Sequence, residues 1–251
     1  MSNPLIIYGV PFSQPVRAVL WLMLYKQKPF EMVLINPGSL SEGGSRHPDY
    51  LAKFPTGTIP SIEDKETGFV LSESHAIMSY LCNKFDWNDL YPSNHEQRAK
   101  VDSYLHLHHR NVREASIGLV APKVRKDLNF SEDFLKISQA SINKAFKALE
   151  DGWLAQSCYL TGDQLTIADM SAYVEIGQLQ SKFTNVFDFA PFPNIRRWLE
   201  DMNQVAYHDE VHASLYELGD ISSEAPSMET IISANKKGFV VLQEQLADMQ
   251  D

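Results

Sequence analysis

The spacing of apolar residues changes near residue 85, and that change constrains the fold more than any other feature of the sequence. Up to Phe85, short extended runs alternate with helical ones. Leu5-Ile6-Ile7-Tyr8 reads as a first strand. Val16, Val19, Leu20 and Met23 follow at i, i+3, i+4, i+7, one face of a helix. Residues 30–34 read as a second strand, and residues 36–44 as a turn-rich stretch. Ile59-Pro60-Ser61-Ile62 and Phe69-Val70-Leu71 flank a polar turn at 64–68 and predict a hairpin. Ile77, Tyr80 and Leu81 mark another helix. The order β-α-β-α-β-β-α specifies a small mixed sheet covered by helices, expected over residues 1–85.

Residues 86–94 are polar, contain Pro92 and suit a linker. Beyond them the spacing is helical, so residues 95–220 are expected to form an all-helical domain. Val101, Tyr104 and Leu105 share one face; Ile142, Ala145, Phe146 and Leu149 share another. Thr166-Ile167-Ala168-Asp169 has the spacing of a capping box, with Leu165 and Met170 placed for a hydrophobic staple. It predicts a helix from Ile167 to about Gln180. A second polar break at 222–227 precedes a helix carrying Phe239, Leu242 and Leu246. Residues 221–251 therefore read as an appended C-terminal extension.

A chain of 251 residues, 44% of them hydrophobic, holds two modest domains with real cores. The net charge of −10 argues against a nucleic-acid surface but allows a local cationic pocket. No apolar run reaches the roughly 18 residues of a membrane helix. The opening residues show no basic stretch, apolar run and small-residue cleavage site. The expected setting is the cytoplasm, with no membrane partner. Cys82 and Cys158 make neither a disulfide framework nor a zinc cluster and read as packed free thiols.

Several segments together resemble the cytosolic glutathione transferases, in their serine-type, theta-like class. They are Tyr8-x4-Ser13-Gln14-Pro15-x-Arg17-Ala18-Val19, Ile59-Pro60, Leu71-Ser72-Glu73-Ser74-x-Ala76-Ile77, and Leu160-Thr161-Gly162 with Thr166-Ile167-Ala168-Asp169. Residues 98–105, around Asp102, are a softer match. All occur in the family's order and cover both halves. The resemblance implies an α+β two-domain fold, a thioredoxin-like βαβαββα domain followed by an all-α domain. It implies glutathione as co-substrate, a small electrophile as second substrate, a homodimer and no metal. Conjugation is the expected reaction, with reduction of organic hydroperoxides as a second. Two rivals stand beside it: a non-catalytic binding or scaffold module, and another glutathione-dependent enzyme of this fold, an isomerase or disulfide reductase. Retention of Ser13, Glu73 and Ser74 opposes the first. Phe12-Ser13-Gln14, where isomerase relatives carry serine–serine–cysteine, opposes the isomerase.

Site residues follow from what glutathione needs. Its thiol, with a free pKa of about 8.5, must ionise near neutral pH. Ser13 begins the Val16 helix with Pro15 in the first turn, so it offers a hydroxyl beside a helix N-terminus. A plain N-cap serine would sit the same way; the other motif matches favour the catalytic role. The resemblance gives Ile59 a backbone contact before a cis Pro60. It gives Glu73 the α-amino group and Ser74 the α-carboxylate, although helix capping suits both residues too. Ser45 and Arg46 fall where the theta pattern places a histidine and a lysine, and His47 comes two residues late. Arg46 can grip the glycine carboxylate with two bonds or stay a solvated arginine. Thr58 stands where relatives place a lysine. Asp102 reaches the partner's glutathione or is an exposed helix carboxylate. His106, Arg110 and Arg113 are expected to line the second-substrate pocket; His106 and His109 lack the further ligands a metal requires. Arg17 is expected to anchor the first helix to the second domain. The final helix either covers the active site as a lid or packs elsewhere.

Overall fold

The computed structural model describes residues 5–125 and 128–249. Four strands, β1 (Leu5–Gly9), β2 (Glu31–Leu34), β3 (Ser61–Asp64) and β4 (Phe69–Ser72), form one sheet in the order β2-β1-β3-β4. Parallel strands need a crossover, and α1 (Gln14–Tyr25) supplies it between β1 and β2, with Ile7 opposite Met32. β3 runs antiparallel to β1 and to β4. The β3–β4 turn closes through Gly68 N–H on Asp64 O at 2.8 Å, with Gly68 at φ 71°. α2 (Pro48–Lys53) and α3 (Ser74–Lys84) complete the thioredoxin-like βαβαββα order. The third strand starts at Ser61, two residues later than its apolar run suggests. Pro60 has no N–H for the ladder, and the Ile59–Pro60 bond is cis.

The helical domain follows with α4 (His95–His108), a π-helical turn at Ser116–Val120 leading into α5 (Ala121–Val124), and α6 (Glu132–Ala148). Then come α7 (Ile167–Ile176), α8 (Pro193–Asn203), α9 (His208–Val211), α10 (Ala213–Leu218) and α11 (Met228–Asp248). Every residue of α7 is buried. Its start is closed by Asp169, which accepts from Leu160 N (2.8 Å), Thr166 N (3.0 Å), Thr166 Oγ1 (3.0 Å) and Trp198 Nε1 (3.1 Å). Burial pushes the Asp169 carboxyl up to about 6, against these donors, which favour the carboxylate. α7 ends earlier than the spacing suggests and tightens into a 3₁₀ turn at Gly177–Leu179. There the Tyr173 ring lies so close that a Cβ on Gly177 would fall 2.5 Å from Cζ.

α1 is buried from Val16 to Leu24 because it packs against both α3 and α7. Arg17 does anchor it: fully buried, it donates through Nη1 to Phe12 O (2.6 Å) and through Nη2 to Val174 O (3.1 Å). Trp21 donates to Ala206 O at 2.9 Å, and its ring meets those of Tyr173, His208 and His212 at 5.4, 5.8 and 5.3 Å. Burial pulls His208 down to about 4 and His212 well below the ordinary histidine range. The last helix is no loose appendage. Ala234, Gly238, Leu242 and Leu246 form its buried face, and it packs on α9 and α10. Among the described residues, no helix is long and apolar enough to cross a membrane.

Candidate functional site

Ser13 holds the N-cap position of α1 in extended geometry, φ −71° and ψ 127°, yet its side chain makes no cap hydrogen bond. Ser13 lines a cavity of about 340 Å³ together with Ser45, Arg46, Thr58, Ile59 and Arg113. A recess of about 180 Å³ is lined by Pro60, Glu73 and Ser74 and shares Pro15, Thr58, Ile59 and Arg113 with that cavity, so the two adjoin. The first amides of α1 have no helical partner and favour an anion.

The edge between the two recesses is backbone. Thr58 O accepts from Tyr50 Oη (2.7 Å) and Ser61 Oγ (3.2 Å) and is occupied. Ile59 N–H and C=O have no backbone partner among the described residues. Glu73 is exposed at φ 77°, a conformation non-glycine residues rarely adopt, and its side chain does not cap α3. Such strain clusters at ligand sites. Ser74, 7% exposed, is the first residue of α3.

At the other end, Ser45 is buried and accepts from Gly38 N at 2.9 Å, so its hydroxyl closes its own loop. Arg46 is exposed and passes over Gly57 (φ 62°), where a Cβ would lie 3.0 Å from Arg46 Nη1. His47 caps α2 through Nδ1 on Asp49 N–H at 3.4 Å and does not line the cleft.

Of the residues expected in a second-substrate pocket, Arg113 alone lines the cleft. α4 buries Val101, Tyr104, Leu105 and His108, which turns His106 outward; Arg110 is exposed beyond the helix end. Neither lines the cleft. Asp102 also lies outside it and accepts from Tyr91 Oη at 2.8 Å.

Sequence reasoning missed the polar cluster behind Arg113. Glu175, 1% exposed, accepts from Arg113 Nη1 at 2.5 Å and from the Ser116 hydroxyl, with His108 Nε2 3.9 Å away. Burial opposes its charge, but Arg113, His108 and Ser116 hold the carboxyl down at about 2. Gln178 donates to Ser116 Oγ and accepts from Gln14 Nε2 at 2.9 Å, which ties the network to the residue beside Ser13. His75 bonds Ser171 Oγ at 2.5 Å, and burial, then His108 and His109, pulls its imidazole down to about 2. The partners Gln14 and Gln178 are 164 positions apart, beyond any local pattern.

The cleft thus has an acid at one end, a guanidinium at the other, an unpaired backbone edge between them, and a free hydroxyl on a helix N-terminus. It suits a short extended peptide with an amine at one end, a carboxylate at the other and an anionic centre at Ser13.

The family model described as "Glutathione S-transferase, N-terminal domain" matches residues 7–89, and "Glutathione S-transferase, C-terminal domain" matches residues 101–205. Glutathione S-transferase T3 of Arabidopsis thaliana is 29% identical over 248 residues, 92% of this chain and 40% of its own. The chain therefore spans well under half of that relative. Human glutathione S-transferase theta-1 is 26% identical over 225 residues, 86% of this chain and 91% of its own. The crystal structure of human glutathione transferase theta-2, in complex with glutathione and an unknown ligand, aligns with a TM-score of 0.73 over 98% of this chain and 99% of that one. At 22% identity that likeness bears on the fold alone.

Proposed function

The chain belongs to the glutathione S-transferase family, and from that premise we propose that it binds glutathione in the Ser13 cleft and transfers its thiolate to an electrophilic carbon. The observation that carries this reading is the Ser13 hydroxyl, at a helix N-terminus and without a cap bond. It donates to the thiolate sulfur while the α1 amides add their dipole, and both lower the thiol pKa from about 8.5. The thiolate then attacks, a C–S bond forms, and the leaving group departs with its electron pair. In the corresponding peroxidase reaction the thiolate attacks the terminal oxygen of an organic hydroperoxide, the O–O bond breaks and the alcohol leaves, and a second glutathione converts the resulting sulfenic acid to the disulfide and water.

Glu73 pairs with the α-ammonium of glutathione and Ser74 donates to its α-carboxylate. The Ile59 backbone pairs with the peptide, and Arg46 meets the glycine carboxylate beside the Ser45 loop and Thr58. Arg113 borders the second substrate. The active form is a homodimer in which Asp102 faces the partner's cleft; light scattering should give about twice 28.5 kDa.

A glutathione titration followed by a panel of halides, epoxides and hydroperoxides tests the activity. Ser13→Ala should keep glutathione affinity and lower turnover near neutral pH by about 10²-fold, the usual loss for one donor to a developing anion. Unchanged turnover overturns the assignment.

A further inference from the structure

The loop that presents Ser13 is held by the last helix, and we propose that Asn235 on α11 is a positioning residue for thiol activation. The proposal rests on the Ser13 reading above. Residues 10–13 turn tightly, with Ser13 N–H on Val10 O at 3.1 Å. The backbone between them is gripped by side chains from far along the chain. Phe12 N–H donates to Asn235 Oδ1 at 3.3 Å, and Pro11 O accepts from Ser214 Oγ on α10 at 3.4 Å. The Arg17 guanidinium, itself held by α7, donates to Phe12 O. Asn235 is oriented in turn: its Nδ2 donates to Ile231 O at 3.1 Å, which leaves Oδ1 for Phe12.

The approach of α11 is built into its sequence. Gly238 lies three residues on, and a Cβ there would fall 2.9 Å from Pro11 Cβ and 3.0 Å from Ser214 Cβ. A glycine inside a helix is unfavourable relative to alanine; here it opens the space that Pro11 fills. α11 contributes no residue to either recess of the cleft. Its bearing on the reaction is therefore through the position of the Ser13 loop, as a strap, and not through cover of the second substrate. The open ends of α1 and the Ser13 hydroxyl act on the sulfur only if the turn sets their distance. Misplacement of a catalytic group by about 1 Å can cost about 10²-fold.

The test uses the full chain with Asn235→Leu, which keeps the branched heavy-atom skeleton and leaves Phe12 N–H unpaired, and with Gly238→Ala, which pushes the helix off Pro11. Readouts are the pKa of bound glutathione from thiolate ultraviolet absorbance, glutathione affinity, kcat/KM for a small and a bulky halide, and Tm. Either variant should raise the bound-thiol pKa towards its free value and lower kcat/KM near neutral pH by about tenfold. The loss should be equal for both halides, with glutathione affinity within about twofold and activity recovering at alkaline pH. Made in a Ser13→Ala background, Asn235→Leu should have little further effect, because both act on one donor. An unchanged thiol pKa with a lowered Tm makes Asn235 merely structural and overturns the proposal. A loss confined to the bulky halide makes α11 a lid and also overturns it. If Ser13→Ala itself leaves the thiol pKa unmoved, the Ser13 reading falls and the strap with it. A shift from Ser13→Ala without one from Asn235→Leu sinks the strap alone.

Discussion

α1 and α7 begin alike and end up doing opposite work. Each has a hydroxyl residue at its N-cap in extended geometry, Ser13 at φ −71° and Thr166 at φ −134°. The difference lies three residues on. α7 carries Asp169, whose carboxylate turns back on the Thr166 amide and hydroxyl; α1 carries Val16. Thr166 and Asp169 are buried, and a buried helix start must satisfy its donors inside the chain. Ser13 is half-buried at the rim of a cleft, with nothing in the third position to close the turn. Its amides and hydroxyl stay available for an anion from outside. A hydroxyl residue at the same position is closed within the chain in one place and left open in the other, and its neighbours decide which.

The largest effect that tests this contrast is on the closed end. Asp169→Ala leaves four donors, from Leu160, Thr166 (two) and Trp198, without their acceptor. Unmade bonds of buried groups cost about 1–3 kcal/mol each, partly relieved by relaxation. A loss of about 4 kcal/mol in urea unfolding is expected, with the glutathione affinity of the remaining folded protein unchanged. A loss below about 1 kcal/mol would show that the buried start needs no internal partner.

The next effect comes from the junction between the domains, where the buried histidines behave unlike the open cleft. His208 is held neutral by burial, at about 4 folded against 6.5 in the unfolded chain. As pH falls below about 6.5 the unfolded chain takes up the proton first, so stability is full above that pH and is lost towards pH 4. The 2.5-unit difference corresponds to about 3 kcal/mol. His212 adds to it with the same sign. Glu175 contributes only lower down: its folded value near 2 against 4.5 means its share is lost between those two values. Urea midpoints measured from about pH 8 to 5 should fall, and His208→Gln should flatten the slope. Equal slopes in the parent protein and in His208→Gln would mean that His208 is not held neutral by the fold; the parent profile alone does not decide it, because Asp169, pushed up to about 6, acts with the opposite sign between about pH 4 and 6.

What the sequence made legible follows the same line between local and distant causes. The strands, to within two residues, and the capping box depend on residues within one turn or one strand, and spacing makes them legible. The Val101, Tyr104, Leu105 face continues to His108, and that spacing already turns His106 away from it. Glu73 is visible as a residue, but its positive φ is not, because a glutamate carries no local signal for that conformation. The Gln14–Gln178–Ser116–Glu175 network joins helices far apart in the chain, and no local period encodes it. α11 lay in between. Gly238 inside an otherwise regular helix was a readable sign of close approach, but nothing nearby named Pro11 as what it approaches.

The smallest predicted effect is the sharpest test of the contrast. An N-cap hydroxyl that caps is worth about 1 kcal/mol when removed. Thr166 donates to Asp169 within the closed start of α7, so Thr166→Ala should lower stability by about that amount and leave kcat/KM per folded molecule unchanged. Ser13 makes no cap bond, so Ser13→Ala should change stability by less than about 0.5 kcal/mol, the range of substitutions away from any special interaction. Both variants remove a hydroxyl from a helix start, Thr166→Ala with a methyl group besides, and the hydroxyls differ in whether the chain itself uses them. Equal stability losses in paired urea titrations would mean that Ser13 is an ordinary cap in solution. The case for a hydroxyl kept free for an anion would then be gone, whatever turnover did.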